Sequence, residues 1–279
     1  VNSFDLETSR EVIMMVGWPA TGKSLSIVRL ALDNPDKKVM VIDRDRGVSK
    51  AVREVCKKPP TNLIYRLVKT WDDVLGCINE SFDILGEGDW LAFDQIGRLW
   101  DLAQSEYSRM IYGEELTNHI LTLRAEVEKV IRAADLGTKS REATSARARD
   151  TGFQGLEGRY DWPLIKRMHN DDVFDRVILD GNFNVLSTNS LSPLTDDDLK
   201  KKRYPMWQNI QARPEGEKHQ VYRHDTIAVA YKTDGGYFWR TDLGGGEGKD
   251  RGRPLARDVD FTNTGFVRSY LEYHSEEDF

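Results

Sequence analysis

The sequence predicts an α/β fold: a mostly parallel sheet with flanking helices and a C-terminal β-hairpin. Three observations lead there. Short apolar runs rich in β-branched residues alternate with helix-patterned stretches, as strands and crossover helices do in parallel sheets. The first such run ends in a glycine-bounded turn that opens directly into a helical pattern. Near the other end, Thr233, Asp234, Gly235 and Gly236 separate two apolar runs, a strong hairpin signal.

Taken in order, the first strand is Val12 to Val16, and the second is Lys38 to Asp43, short and apolar with an acidic end. Asn62 to Val68 is the third and leads into a helix from about Trp71 to Leu85. Asp89 to Asp94 is the fourth and Phe183 to Thr188 the fifth, while Asp225 to Lys232 and Tyr237 to Thr241 form the hairpin. Leu99 to Ala134 reads as one or two long helices, and Asp161 to about Leu179 as another. There is no internal repeat.

Two segments break the rhythm. Gly137 to Tyr160 is polar and glycine-rich, with Arg141, Arg147, Arg149 and Arg159. Ser190 to Gln220 carries Pro193, Pro205 and Pro214, the basic run Lys200 to Arg203, and the aromatics Tyr204 and Trp207. Loops this long in a compact domain are usually functional or disordered. Each reads either as a solvated loop or as a mobile loop that touches nucleic acid through phosphate charge and base stacking. The expected organisation is one domain over residues 1–260, with a helical and loop insertion at about 99–160 and a loop at 190–220. Residues 261–279 end in Glu276, Glu277 and Asp278 and read as a tail, either disordered and acidic or a docking strip for a partner.

Forty-six acidic and 40 basic side chains give a net charge of -6, which argues against a generally basic nucleic-acid binder and leaves only a local basic patch for that role. Cys56 and Cys77, the only cysteines, are too few for a zinc site or a disulfide framework, so a reducing compartment is expected. No apolar run approaches the roughly 18 residues of a membrane span, and the N-terminus lacks a signal-peptide layout. The expectation is a cytoplasmic protein with no membrane partner.

The chemistry concentrates at Gly17, Gly22, Lys23 and Ser24, which match G-x-x-x-x-G-K-[ST] in full. The glycines let the backbone turn tightly and bring N–H groups to phosphate oxygens. Lys23 supplies charge to the outer phosphates, Ser24 offers a hydroxyl to magnesium, and the helix that follows aims its N-terminal dipole at the same anion. Gly17, Trp18, Pro19, Ala20, Thr21, Gly22, Lys23, Ser24 and the following Leu25 are therefore the candidate nucleotide-binding segment, with ATP and Mg2+ the expected cofactors. Phosphoryl hydrolysis also needs a carboxylate for the magnesium shell, a group to orient water, and a cation for developing charge. Asp94, at the end of an apolar strand, is the Walker B candidate and with Ser24 forms the candidate metal site. Residue 95 is Gln, so no catalytic acid directly follows Asp94.

A resemblance fills the remaining roles. Val39 to Asp45 looks like the RecA-type segment in which a strand ends in Asp-x-Glu and the last carboxylate activates water. Asp45 stands at that Glu position, one methylene shorter, and Asp43 is the alternative. Leu91 to Leu99 is similar to the RecA Walker B segment, and Phe183 to Thr188 to the sensor strand. Polar Asn189 and Ser190 follow it, and the resemblance implies a γ-phosphate contact for Asn189. The loop 190–220 then sits where RecA-type proteins carry a DNA-binding loop. Lys249 and Arg251 resemble the basic pair that such proteins offer to a neighbouring subunit's ATP; they read otherwise as a solvated glycine-rich loop.

Over roughly residues 10–255 the chain most resembles the small RecA-like P-loop ATPases that phages and archaeal viruses encode for single-strand annealing and recombination. The resemblance implies an ATPase acting on DNA, single-stranded, through loops 137–160 and 190–220. It further implies a homo-oligomeric ring or filament in the host cytoplasm. A DNA-packaging or helicase-type ring motor, a small-molecule kinase, and a slow nucleotide-gated binding module are the other readings.

Overall fold

The structure is a computed structural model that describes residues 10–133, 156 and 160–277. The first four strands are β1 (Val12–Gly17), β2 (Val39–Asp43), β3 (Leu63–Leu67) and β4 (Trp90–Asp94). Between and after them run α1 (Lys23–Asp33), α2 (Gly47–Val55), α3 (Trp71–Ile84), α4 (Ile96–Tyr112) and α5 (Leu116–Ala133). The helix expected over 161–179 is present and runs unbroken as α6 (Asp161–His169), a π-helical turn (Asn170–Asp175) and α7 (Arg176–Asp180). Then come β5 (Asn184–Pro193), α8 (Asp196–Lys200), β6 (Ala212–Pro214), β7 (Thr226–Thr233) and β8 (Gly236–Arg240). The short strands β9 (Asp242–Gly244), β10 (Glu247–Gly248) and β11 (Val259–Asp260) precede a last helix, α9 (Phe266–Glu277).

The main sheet runs β11-β8-β7-β1-β5-β4-β2-β3, with β6 attached to β5. The six strands from β7 to β3 are parallel, and β8, β11 and β6 pair antiparallel. The expected mostly parallel sheet and hairpin are both present. β5 lies between β1 and β4, so the phosphate-loop strand and the acidic strand are not neighbours.

Both faces of the sheet are covered, which is why its strands read as continuous apolar runs. Side chains alternate along β1: Ile13 and Met15 join α1, α2 and α9 in one core, through Ile27, Leu30, Val48, Phe266 and Tyr270. Val12, Met14 and Val16 face the other core, with Trp71, Val74 and Ile78 of α3 and Leu99 and Leu102 of α4. α3 starts at a full capping box, with Thr70 accepting from the Asp73 N–H and Asp73 reaching back to the Thr70 N–H.

Two expectations need correction here. The stretch 261–279 is not a tail, because Phe266, Val267 and Tyr270 of α9 are buried, and Trp239 of β8 packs on Phe266, Tyr270 and Tyr273. Their spacing is the helical 3.6 period, and the acidic residues at 276–278 drew the reading away from it. The stretch 190–220 is not an extended loop either. β5 continues to Pro193, the chain turns through α8, and β6 returns antiparallel, with Leu191 opposite Pro214. The long helical stretch at 99–134 divides at Gly113, which caps α4 in the left-handed conformation. Among the described residues, no helix is long and apolar enough to cross a membrane.

Candidate active site

The phosphate loop leaves β1 at Gly17 and enters α1 at Lys23. Gly17 has no room for a side chain, since a Cβ there would lie 2.5 Å from Thr21 Oγ1 and 2.6 Å from the Ala230 carbonyl. Gly22 takes φ 84°, the left-handed region that glycine enters without strain. Thr21 closes the loop by donating to the Trp18 carbonyl at 2.8 Å. Lys23 is buried, and its Nζ donates to the Gly17 and Trp18 carbonyls at 2.7 and 2.8 Å. Burial pulls its pKa down to about 8, against the opposing pull of the Asp94 and Glu215 carboxylates. The amine thus sits inside the loop at the carboxyl edge of the sheet.

The structure brings Ser24 and Asp94 together across β5. Ser24 Oγ donates to Asp94 Oδ2 at 2.7 Å, and Thr188 Oγ1 of β5 donates to Oδ1 at 2.6 Å. Asp94 is buried, and burial raises its pKa above the usual carboxylate range despite these two hydrogen bonds. Gly47, the first residue of α2, faces the same spot: a Cβ there would lie 2.5 Å from both Asp94 Oδ2 and Ser24 Oγ. A hydroxyl and a carboxylate converging on a space kept open by a glycine fit a magnesium ion, which takes one or two carboxylates and completes its shell with water and phosphate oxygens. Among the described residues no cluster of three or more His, Cys, Asp or Glu offers an all-protein metal cage.

The two candidate carboxylates after β2 differ in their partners. Asp43 is buried and occupied: its Oδ1 accepts from the Asp45 and Arg46 N–H groups at 2.8 and 2.6 Å, and its Oδ2 from Val48 at 3.1 Å. Asp43 thereby shapes the turn into α2, and burial raises its pKa. Asp45 is exposed and ion-paired with Arg98 of α4 at 3.5 Å.

At the tip of β5, Asn189 and Ser190 lie opposite Val16 and Gly17 in the parallel register. Asn189 Nδ2 donates to the Glu215 carbonyl at 2.9 Å, and its Oδ1 accepts from the Ser190 N–H. Ser190 Oγ donates to Gln95 Oε1 at 2.7 Å, which ties β5 to the residue after Asp94. Beside the loop a cavity of about 580 Å³ is lined by Trp18, Leu191, Ile210, Tyr231, Phe238 and Arg240, among others.

Lys249 and Arg251 are not part of this cluster. The Ile227 N–H donates to the Lys249 carbonyl and the Arg251 N–H to the Asp225 carbonyl, so both residues flank the start of β7 at the amino edge of the sheet. That is about 13 Å along the strands from the phosphate loop, four residues at roughly 3.3 Å each. Lys249 Nζ donates to the Tyr222 carbonyl at 2.9 Å, and Arg251 bonds the Arg10 carbonyl and pairs with Glu11 at 3.2 Å. The segment is anchored, contrary to what its glycines suggest.

The basic run at 200–203 is also engaged. Lys201 pairs with Asp197 at 2.8 Å, and Arg203 with Asp197 and Asp198 at 3.3 Å each. Trp207 is buried in the core and offers no stacking face, whereas Tyr204 is half-buried under Arg213 and Lys218. Arg141, Arg147, Arg149 and Arg159 lie outside the described residues.

Thr188, Gly47 and Glu215 were not assigned roles from sequence. Thr188 carries a weak signal, a polar residue at the end of an apolar strand. Gly47 and Glu215 carry none, because only the sheet order and the return of β6 bring them to the loop.

No family model matches the chain, and no curated protein matches it. Among solved structures, the crystal structure of the RadB recombinase is similar over 92% of this chain and 90% of that chain, at 15% identity and a TM-score of 0.41. The functional reading therefore rests on the geometry of the site.

Proposed function

We propose that this chain is a magnesium-dependent ATPase of RecA-like type that acts on DNA. The observation that carries the reading is the 2.7 Å contact between Ser24 and Asp94, 70 residues apart, beside a lysine enclosed by a phosphate loop. In this proposal the N–H groups of Gly17 to Leu25, Pro19 excepted, and the Lys23 amine would hold the phosphates, and Ser24 and Asp94 would hold magnesium. The bound ion neutralises charge on the outer phosphates. The γ-phosphate contact of Asn189 is carried over from the resemblance and would require its side chain to leave the Glu215 carbonyl, and Asp45 is one carboxylate at the same edge. The finer role, single-strand annealing or recombination in a viral setting, rests on the sequence resemblance alone. DNA contact is assigned to residues 137–160 and to the stretch 190–220, where the pairing of Lys201 and Arg203 with Asp197 and Asp198 leaves Lys200, Lys202, Arg213 and Lys218 as the stronger charges. Lys249 and Arg251 serve ATP only if a second copy presents them, which makes the proposed assembly a homo-oligomer.

Phosphate release measured with and without single-stranded DNA tests this reading. The expected result is magnesium-dependent hydrolysis that DNA stimulates. Transfer of the phosphate to a small-molecule acceptor, with no response to DNA, would favour a kinase instead.

A further inference from the structure

The hydrolysis proposed above needs a group near the terminal phosphate that orients the attacking water, and a carboxylate free to take its proton can fill that role. Most acidic groups around the loop are already committed. Both oxygens of Asp94 accept hydrogen bonds, from Ser24 and Thr188, and Asp43 accepts three main-chain N–H groups. Asp45 is exposed and paired with Arg98.

Glu215 differs from all three. It follows β6, and its N–H donates to the Ser190 carbonyl at 3.0 Å, so it continues the antiparallel pairing with β5. Ser190 lies opposite Gly17 in the parallel register of β5 with β1. Glu215 is therefore two strand spacings from Gly17, about 10 Å between backbones, at the edge where the Lys23 amine rests on the Gly17 carbonyl. Its side chain is half-buried and among the carboxylates that act on Lys23. Its backbone is fixed from two sides, because Asn189 donates to its carbonyl at 2.9 Å and Gln220 donates to the same oxygen. Gly97, at the start of α4, packs against that carbonyl and would bring a Cβ to 3.0 Å from it. The anchors hold the main chain and leave the carboxylate unspent.

We propose that Glu215 is the catalytic carboxylate that accepts the proton of the attacking water. Water oxygen bonds to the terminal phosphorus, the bond from that phosphorus to the bridging oxygen breaks, and the electron pair stays on the oxygen of ADP. The water proton passes to Glu215, which returns it to phosphate or solvent. The proposal rests on the ATPase reading and replaces Asp45 in this one role.

Because the anchors are main-chain bonds, Glu215→Gln keeps them and removes only the proton acceptor. The experiment measures turnover, binding of a fluorescent ATP analogue and melting temperature for wild type, Lys23→Ala, Glu215→Gln and Glu215→Ala. Both Glu215 variants are expected to lose turnover by about 10²-fold or more, while analogue affinity stays within about threefold. Turnover of Glu215→Gln within threefold of wild type overturns the proposal, as does a loss of analogue affinity that matches the loss of turnover in a folded variant. Hydrolysis by wild type but not Lys23→Ala, with Glu215→Gln still active, removes Glu215 and leaves the ATPase reading standing. A wild-type protein that hydrolyses no ATP overturns both.

Discussion

Lys23 is enclosed by two carbonyls and has a pKa near 8 rather than 10.5, so its charge is conditional on pH. Below about pH 8 the amine is protonated and attracts phosphate; as pH rises through that value the charge is lost. ATP affinity is therefore expected to hold up to about pH 8 and then to fall by up to tenfold per pH unit. In Lys23→Arg the charge persists, and affinity, though weaker, should stay flat to pH 9.5; parallel profiles for the two proteins would contradict the assignment. Gly47→Ala puts a methyl group 2.5 Å from both Ser24 Oγ and Asp94 Oδ2. It should remove the magnesium-dependent part of ATP binding and spare the part measured in a chelator, as titrations with and without the metal would register. The turn from Gly17 to Ser24 between β1 and α1 was legible in sequence because its residues are contiguous. Gly47, Thr188 and Glu215 were not, because their place beside the loop arises from register: β5 slides between β1 and β4, and β6 returns a residue from far along the chain.

The parallel strands and their helices were legible because burial on both faces leaves unbroken apolar runs. α9 was missed for a local reason: its apolar stripe is short and its end is acidic. Its weight in the fold is testable through Trp239, fully buried against Phe266, Tyr270 and Tyr273. Trp239→Ala should cost about 3–5 kcal/mol in urea unfolding; a loss near zero would detach α9 from the core. The helical layer over β5 carries a pH dependence of its own. His169 of α6 and His224, just before β7, are buried, and desolvation lowers each pKa from 6.5 to about 4. Both are held neutral in the fold and protonate more readily when unfolded. Their stabilising contribution is thus full above about pH 6.5 and lost as pH falls toward 4, on the order of 3 kcal/mol each. Urea midpoints at pH 7, 5.5 and 4.5 should record that decline, and His169→Leu should make it shallower.

At the scale of the whole molecule, the candidate nucleotide loop and the basic pair Lys249 and Arg251 lie at opposite edges of the sheet. The proposed ATP chemistry is at the carboxyl edge, and Lys249 and Arg251 are tied to the amino edge through Tyr222, Arg10 and Glu11. An assembly that stacks one copy's amino edge on the next copy's phosphate loop would complete a shared site. Mixing Lys23→Ala with Arg251→Ala protein should then restore part of the turnover that each lacks, and activity per chain should rise with concentration. No rescue, from a monomer of constant specific activity, would leave Arg251 with its intrachain role alone. The sequence could suggest this pair but not its edge, since glycine content does not record the hydrogen bonds that anchor it. Beneath the expectations about ATP lies the claim that Gly17 to Leu25 bind a nucleoside triphosphate with magnesium at Ser24 and Asp94. Calorimetric titration of wild type and Lys23→Ala with ATP, with and without magnesium, tests it most directly. Wild type should bind ATP and bind it more tightly with the metal, while folded Lys23→Ala should bind at least tenfold more weakly. Equal affinity of the two proteins, or no binding by wild type, would contradict it.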